Sequence, residues 1–528
     1  MDSQKAILFL FFQFAIITVF AQNKKQVEVL HSDELEVIRT SAGDIQKLKG
    51  DVRLRHNESI MTCDSAFLYR QTNTVDAFGN VRIIQGTEVT IAGDSLKYNG
   101  NDQKAALLGN ASMQDRQMLL TTNRLNYDMR EKIATYFTGA TLVNDQSTLT
   151  SEIGYYHSNT KNAFFKKDVV LTHPEYTLKA DTLLYNIDSK IAYFFGPTTI
   201  SSKESTIYCE DGWYNTVTDI ALFAKNTRLE NPPQWITADT LFYDRLQGLG
   251  RAFGNIRMVD TSQSLIIESA IANYYERQNT IIATRQALMT NIISGDSLFL
   301  TGDTLKSVED TITNIRNLYA YHNVKIFKSD MQGICDSLTY NNKDSVLTMY
   351  KAPVLWSENN QFVADTILIY LVNNKINRIS LLQNAFLASK NDTLVYNQIK
   401  GKYINGIFEE DTLRRMVVDG NGMALYFLQD DNNAYIGANR TECTNMVIKL
   451  LDNKVDRMIC TGTPSGKVNP LKQLRVDELI LDGFVWHGDK RPRSKYALLS
   501  EVPADVPVIP IEEQSDQDLK QRKGTKLK

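Results

Sequence analysis

The run Leu178-Lys179-Ala180-Asp181-Thr182-Leu183-Leu184-Tyr185-Asn186, followed after a short turn by Ala192-Tyr193-Phe194-Phe195-Gly196-Pro197, is the phrase on which the rest of the chain is a variation. Its first half reads small residue, Asp, Ser or Thr, aliphatic, then Tyr. It stands again at Ala92-Gly93-Asp94-Ser95-Leu96-Lys97-Tyr98, at Ala238-Asp239-Thr240-Leu241-Phe242-Tyr243 and at Cys335-Asp336-Ser337-Leu338-Thr339-Tyr340. The polar anchor runs Asp33, Asp64, Asp94, Asn123, Glu152, Asp181, Glu210 and Asp239. Its step of about 29 to 31 residues is that of a stacked-repeat array, in which each unit buries its apolar face against its neighbours.

A Tyr series follows the anchor: Tyr69, Tyr98, Tyr127, Tyr156, Tyr185, Tyr214, Tyr243 and Tyr274, then Tyr340 and, in degenerate units, Tyr370 and Tyr396. A Gly series trails it at Gly50, Gly79, Gly109, Gly139, Gly196 and Gly254. The spacing slips between Asp296 and Asp336. There Asp303-Thr304-Leu305 reads as a second copy of the phrase, and the stretch 296–315 as an irregular insertion with extra loop.

Within each unit the apolar residues alternate. Leu183 and Tyr185 are two apart and share one face of a strand, with Thr182 on the other; Val81 and Ile83 share a face with Arg82 opposed. Turn residues such as Asn99-Gly100-Asn101-Asp102 and Asn186-Ile187-Asp188-Ser189 separate the runs. Strand, turn, strand, Gly is therefore expected throughout, an all-β chain. An Asp followed by Ser or Thr at such a place most often bonds nearby backbone amides, so the anchors are read as structural.

Lys5 precedes an apolar run from residue 6 to residue 20, and Val19-Phe20-Ala21 supplies a cleavage site. The expectation is a signal peptide over 1–21 and an exported mature chain. The array is expected over 22–400, degenerate repeats and a cap over 401–490, and a disordered polar tail over 491–528, where periodicity stops. A net charge of −3 advertises no surface for a polyanion, which argues against nucleic acid as a partner. Of the five cysteines, Cys63, Cys209, Cys335 and Cys443 fall in the slot held elsewhere by Ala92, Ala180 or Ala238, so they read as small buried hydrophobes; Cys443 and Cys460 form the one plausible local pair.

The six histidines, His31, His56, His157, His173, His322 and His487, lack metal-ligand spacing. Gly462-Thr463-Pro464-Ser465-Gly466-Lys467 fails as a phosphate loop, because its first Gly stands one residue too close and Val468 replaces the Ser or Thr. No cofactor, metal or catalytic group is expected.

Repeats of this form, closed by Gly79-Asn80-Val81, Gly109-Asn110-Ala111 and Gly254-Asn255-Ile256, resemble the OstA/LptA-like family in its long OstA-like form. The resemblance runs from Val27 to Ile407 and on towards Trp486. It implies an elongated open β-jellyroll or β-solenoid, here of about fourteen stacked repeats, whose apolar groove carries lipopolysaccharide or a related glycolipid across the periplasm to the outer membrane. It also implies jellyroll-containing transport partners at the inner and outer membranes.

A continuous apolar trough suits such cargo, since each acyl methylene exposed to water costs about 0.8 kcal/mol. The candidate walls are Leu96 and Tyr98, Leu125 and Tyr127, Leu183 and Tyr185, Leu241 and Tyr243, and Leu338 and Tyr340. Tyr fits a groove mouth, with an apolar ring and a polar tip. The competing reading of the same residues is an ordinary filled core. At the level of function the alternatives are a structural scaffold or adhesin-like β-solenoid and, further off, a β-helix enzyme acting on polysaccharide. Open terminal strands would permit end-to-end self-association.

Overall fold

The computed structural model describes residues 26–499, apart from 42, 87–88, 116–117, 145, 294–295, 311, 314, 374, 393–394, 411, 431, 433 and 452–453. The expected signal peptide lies outside these residues, as does the expected disordered tail from residue 500 onward; the tail's first part, 491–499, is instead ordered, with Arg491 bonded to Gln332 and Leu498 buried. The fold is all-β, and the only helical pieces among the described residues are 3-10 turns of three or four residues. The chain divides into two compact units, 1–203 and 204–528.

Unit 1 is a succession of antiparallel strands, and the strand Thr74–Gln85 shows how each is made. It pairs with Ser59–Tyr69 on one side and Val89–Asn99 on the other, and in both ladders the register shifts between Phe78 and Val81. The shift is a bulge at Gly79 and Asn80, whose φ angles are +76° and +49°. Two left-handed residues in succession break the pleat and turn the strand through a corner, so each strand consists of two legs. Alternation then buries one face of both legs: Val75 and Ala77 before the corner, Val81 and Ile83 after it.

The anchor series stands at these corners. Asn80 Nδ2 donates to Asp64 Oδ2 at 2.9 Å, Asn110 to Asp94 at 2.9 Å, and, in unit 2, Asn226 to Glu210, Asn255 to Asp239 and Asn323 to Asp303, each at 2.9 Å. The expectation of bonds to nearby backbone amides is thus corrected: the carboxylate bonds the corner Asn of the following strand, sixteen residues on in the first pairs. A Cβ on Gly79 would sit 2.3 Å from Asp64 Oδ2, so the corner there closes tightly on Gly, whereas Lys225 and His322 stand in that slot before Asn226 and Asn323. These Asp–Asn posts are exposed and contribute on the order of 0.5–1.5 kcal/mol each, so they fix the corner's position more than its stability.

Several slots move by one residue when the ladders are read. The inward residue four after Asp64 is Leu68, while Tyr69 faces out and its hydroxyl lies 3.4 Å from Asp76. Gly139 occupies the slot of the corner Asn, with Thr138 in the slot of the Gly. A one-residue slip reverses the face, which period-two spacing alone does not reveal.

Unit 2 repeats the same plan. The suspected insertion is instead one strand, Asp296–Glu309, and its corner residue is Asp303 rather than Asp296. Asp296 stands at the strand's tip, bonded to Ser329 at 2.5 Å. Tyr370 faces outward under the Arg378 guanidinium at 3.8 Å, and Tyr396 packs on Phe484 and Trp486, so neither continues the inward Tyr series.

The later strands of unit 2 enclose a packed core that includes Met289, Leu300, Ile326, Met349, Ile379 and Val418. Outside this core a strap of residues 471–491 crosses the back of the sheet, covering Phe386, Ala388, Leu425 and Phe427 with Leu479, Leu481, Phe484 and Trp486. Three buried glutamines hold it, because an irregular segment can lie on a sheet face only if its backbone groups find partners. Gln398 accepts from the Leu481 amide at 2.7 Å and donates to the Leu479 carbonyl at 3.1 Å. Gln361 accepts from the His487 amide and donates to the Val485 carbonyl, both at 2.7 Å, and Gln332 accepts from Arg491 Nε at 2.7 Å. All five cysteines are free thiols; burial pushes Cys63 up to about 11 and Cys335 up to about 12.

Candidate functional site

The inward faces of the two legs bound an apolar interior, and what happens at the strand tips decides whether that interior is sealed. In unit 1 the tips of opposite legs meet. His56, at the end of the strand Gly43–His56, shares a 2.6 Å hydrogen bond with the Tyr98 hydroxyl at the far tip of Val89–Asn99. The same junction recurs as Tyr127 to Gln85 Oε1 at 2.6 Å, with Gln85 also donating to the Met129 carbonyl at 3.0 Å. It recurs again as Tyr156 to Asp115, which Lys161 reaches from the same side at 3.2 Å. At the first rung the Val27 amide donates to Asn73 Oδ1 at 2.9 Å. A polar seam therefore closes the apolar interior, and burial of the phenols along it pushes Tyr98 up and Tyr127 up to about 12.

Behind that seam the interior is filled. Leu96, Tyr98, Leu125, Tyr127 and the facing Leu54, Met61, Ile83, Ile91 and Met113 are all buried. At the far end of unit 1 Leu183 is buried and Tyr185 half-buried.

In unit 2 the first rungs differ. Tip hydroxyls there bond along their own tip: Tyr214 to Asp219 at 2.6 Å, Tyr243 to Glu276 at 2.9 Å, Tyr274 to Asn279 at 3.4 Å. The inward residues that correspond to the sealed positions of unit 1 are only half-buried, namely Ile207, Leu229, Ile236, Met258 and Leu265 on one leg, Leu241 and Tyr243 on the other. Tyr274 at the mouth is 38% exposed. Small wall residues contribute to the opening: where unit 1 pairs Ala163 with Phe165 and Ala192 with Phe194, the strand Leu249–Asp260 offers Gly250 and Ala252. Smaller inward residues of these rungs are buried, and Ile236, Leu241 and Met258 pack against Ala238, Ala252, Ile256 and Ala272; the larger core takes over from Ile267, Ala287, Met289 and Leu300 onward, with Leu338 buried and Tyr340 packed against it.

The ten candidate wall residues thus face inward but fall in different surroundings. Leu96, Tyr98, Leu125, Tyr127, Leu183 and Leu338 lie in packed interior; Tyr185, Leu241, Tyr243 and Tyr340 are partly open. Sequence reasoning passed over Ile207, Leu229, Ile236, Met258 and Leu265, which form the other side of the open stretch. The replacement of an aromatic by Ala252 was the signal that could have marked it. Among the described residues, no three His, Cys, Asp or Glu side chains gather in a way that could hold a metal ion. No helix is long and apolar enough to cross a membrane, which says nothing of strands.

Fold and interior together define a repeat-built all-β protein, with the interior sealed at the tips of unit 1 and only partly buried over the first rungs of unit 2. Residues 24–181 and 177–239 match the family described as OstA-like protein. Among solved structures there is similarity to LptH, the LptA homologous periplasmic component of the conserved lipopolysaccharide transport device from Pseudomonas aeruginosa. The identity is 14%, over 21% of this chain and 93% of that one, with a TM-score of 0.20. Comparison with curated proteins finds no match.

Proposed function

We propose that this chain is a non-enzymatic lipid-binding bridge of outer-membrane biogenesis, exported to the periplasm, which carries lipopolysaccharide or a related glycolipid along its apolar interior. The observation that carries the reading is the set of inward apolar residues left only partly buried between residues 207 and 274, namely Ile207, Leu229, Ile236, Leu241, Met258 and Leu265. Apolar side chains left facing water at about 25 cal/mol per Å² are an unsatisfied surface. An acyl chain laid between the legs would cover Ile236, Leu241 and Met258, while Tyr243 and Tyr274 would meet its polar end at the mouth.

Docking to jellyroll-containing partners, or to a second copy, fits the terminal strands. Among the described residues Glu34–Thr40 pairs on one side only, and Leu35 and Val37 on it are 57% and 50% exposed; Lys454–Thr461 likewise has one partner among them, with Ile459 exposed. Such edges accept another strand through main-chain hydrogen bonds.

The test places a photo-crosslinking residue at Leu241, at outward-facing Thr240 and at sealed Leu96 of the full chain, each exposed in turn to lipopolysaccharide. The expected result is adducts at Leu241 alone. No adduct at any position in folded protein, or equal labelling at Leu96, rules out the trough as the lipid path.

A further inference from the structure

The Asp–Asn corner post is absent at several corners of unit 1, Asp51 and Pro197 standing in the Asn slots opposite Asp33 and Asp181, and at two adjacent corners without it a cleft opens. By the sixteen-residue offset of the pairs Asp64–Asn80 and Asp94–Asn110, the next two pairs are Asn123 with Gly139 and Glu152 with Asp168. Neither can form the carboxylate–amide bond. The first has Asn123 in the acid's place and no side chain at Gly139 to meet it, and the second sets two acids together, with Lys167 drawn to within 3.5 Å of Glu152. Gly139 stands in the slot of the corner Asn, and a Cβ there would meet nothing within 4 Å.

The vacated corner is a cleft of about 700 Å³ that both defective pairs line. That volume lies within the range of about 300–1,000 Å³ usual for small-molecule sites. Beside it Thr121, Thr141 and Thr150 stand directly opposite one another on three adjacent strands. Adjacent strands lie about 4.8 Å apart, so three threonines stand in a row across the sheet. Thr121 also lies 3.3 Å from the Thr141 carbonyl, and Thr122 donates to the Gly139 carbonyl at 2.6 Å, so the floor is tied down.

The lining selects its ligand by exclusion. It has no aliphatic or aromatic side chain larger than Ala, so an acyl chain finds nothing to pack on. Glu152 and Asp168 repel an anion, and no metal-holding group is present among the described residues. A many-hydroxyl ligand fits this lining, able to donate to carboxylates and to exchange hydrogen bonds with threonines and Asn123. Two residues before Gly139, Phe137 stands half-exposed and edge-on to Tyr155 at 5.9 Å, an apolar ring near the cleft for a sugar's C–H face.

We infer that the corner cleft at Asn123, Gly139, Glu152 and Asp168 is a binding site for neutral carbohydrate, separate from the apolar interior and independent of the lipid reading. The sugar source is either a free glycan or the saccharide of a glycolipid, and both present the same hydroxyl chemistry.

The test is saturation-transfer NMR on the full chain with three probes: chitotriose, maltotriose, and the oligosaccharide released from lipopolysaccharide. The expected result is transfer to at least one, and the responding probe tells free glycan from glycolipid saccharide. The variant N123D/G139N restores the post in a slot with room for the side chain, at a φ of +81° that Asn tolerates. It should weaken binding about tenfold or more, while the melting temperature holds or rises. Should that variant misfold by circular dichroism, T141V/T150V, which keeps the shape and removes two hydroxyls, decides by the same loss. Absence of transfer from all three probes in the wild-type chain, or binding unchanged in the folded variant, overturns the site.

Discussion

Truncating Leu96 and Leu241 to Ala compares a sealed interior with an open one at the same slot of the repeat, two residues after Asp94 and Asp239. Leu96 is 1% exposed and surrounded by buried neighbours, so its truncation leaves a cavity and should cost about 3 kcal/mol, within the range of about 2.7–5 for buried Leu. Leu241 is half-buried, and the removed atoms already touch water. Only part of the transfer term of about 0.8 kcal/mol per methylene is lost, with no closed cavity, for a total near 1 kcal/mol. Global melting cannot separate the effects in a chain of two compact units. Amide hydrogen exchange read by peptide can, because local opening reports each region's own stability. Leu96→Ala should speed exchange about 100-fold in peptides from residues 74–128, and Leu241→Ala less than about 10-fold in peptides from 220–275. Equal losses at the two sites would refute the distinction between packed core and trough, and with it the argument for where lipid enters.

Other outcomes follow from particular bonds. Tyr98→Phe removes the hydroxyl that meets His56 at 2.6 Å and should destabilise the seam by about 1–3 kcal/mol, seen as faster exchange in the strands Gly43–His56 and Val89–Asn99 but not in unit 2. Burial raises Tyr127 from 10.0 to about 12, so the stability tied to its neutral phenol is complete below pH 10 and is lost as pH rises through about 12; an ultraviolet phenolate titration should show this tyrosine ionising after the exposed ones. Asp336 is held down to about 2, first by the Ser337 hydroxyl, then by Lys351 and His322, against an ordinary 3.8. Its contribution is therefore present above about pH 4 and disappears as pH falls through about 2, and a carboxyl NMR titration of wild type and Lys351→Met should show a higher midpoint in the variant. Gln398→Ala leaves the Leu481 amide and the Leu479 carbonyl without their buried partner, so limited proteolysis should cut the strap between residues 471 and 491 well before it cuts the wild-type chain.

Much of the architecture is present in the sequence because the fold is local and repeated. A strand pairs with the next strand in the chain, so alternation, turn residues and a period near 30 fix strand order without any long-range information. In several repeats Asp, Gly and Asn likewise form a corner among themselves, and the recurrence of Gly79-Asn80 and Gly254-Asn255 marks where the chain bends. Slots such as Tyr69 and Gly139 were off by one, since a bulge adds one residue and period-two spacing cannot say on which side it falls.

What the sequence could not decide depends on contacts between residues about 40 or more apart. Whether an inward Tyr fills a core or edges a trough turns on what meets it at the opposite tip: His56 for Tyr98 and Gln85 for Tyr127, but Glu276 on its own tip for Tyr243. The strap is the extreme case, because Gln332, Gln361 and Gln398 look like surface residues until segments 81 to 159 positions away lie over them. Repetition writes the walls of this protein into its sequence; closure belongs to the tertiary structure, since folding alone brings the two tips together and leaves one stretch apart.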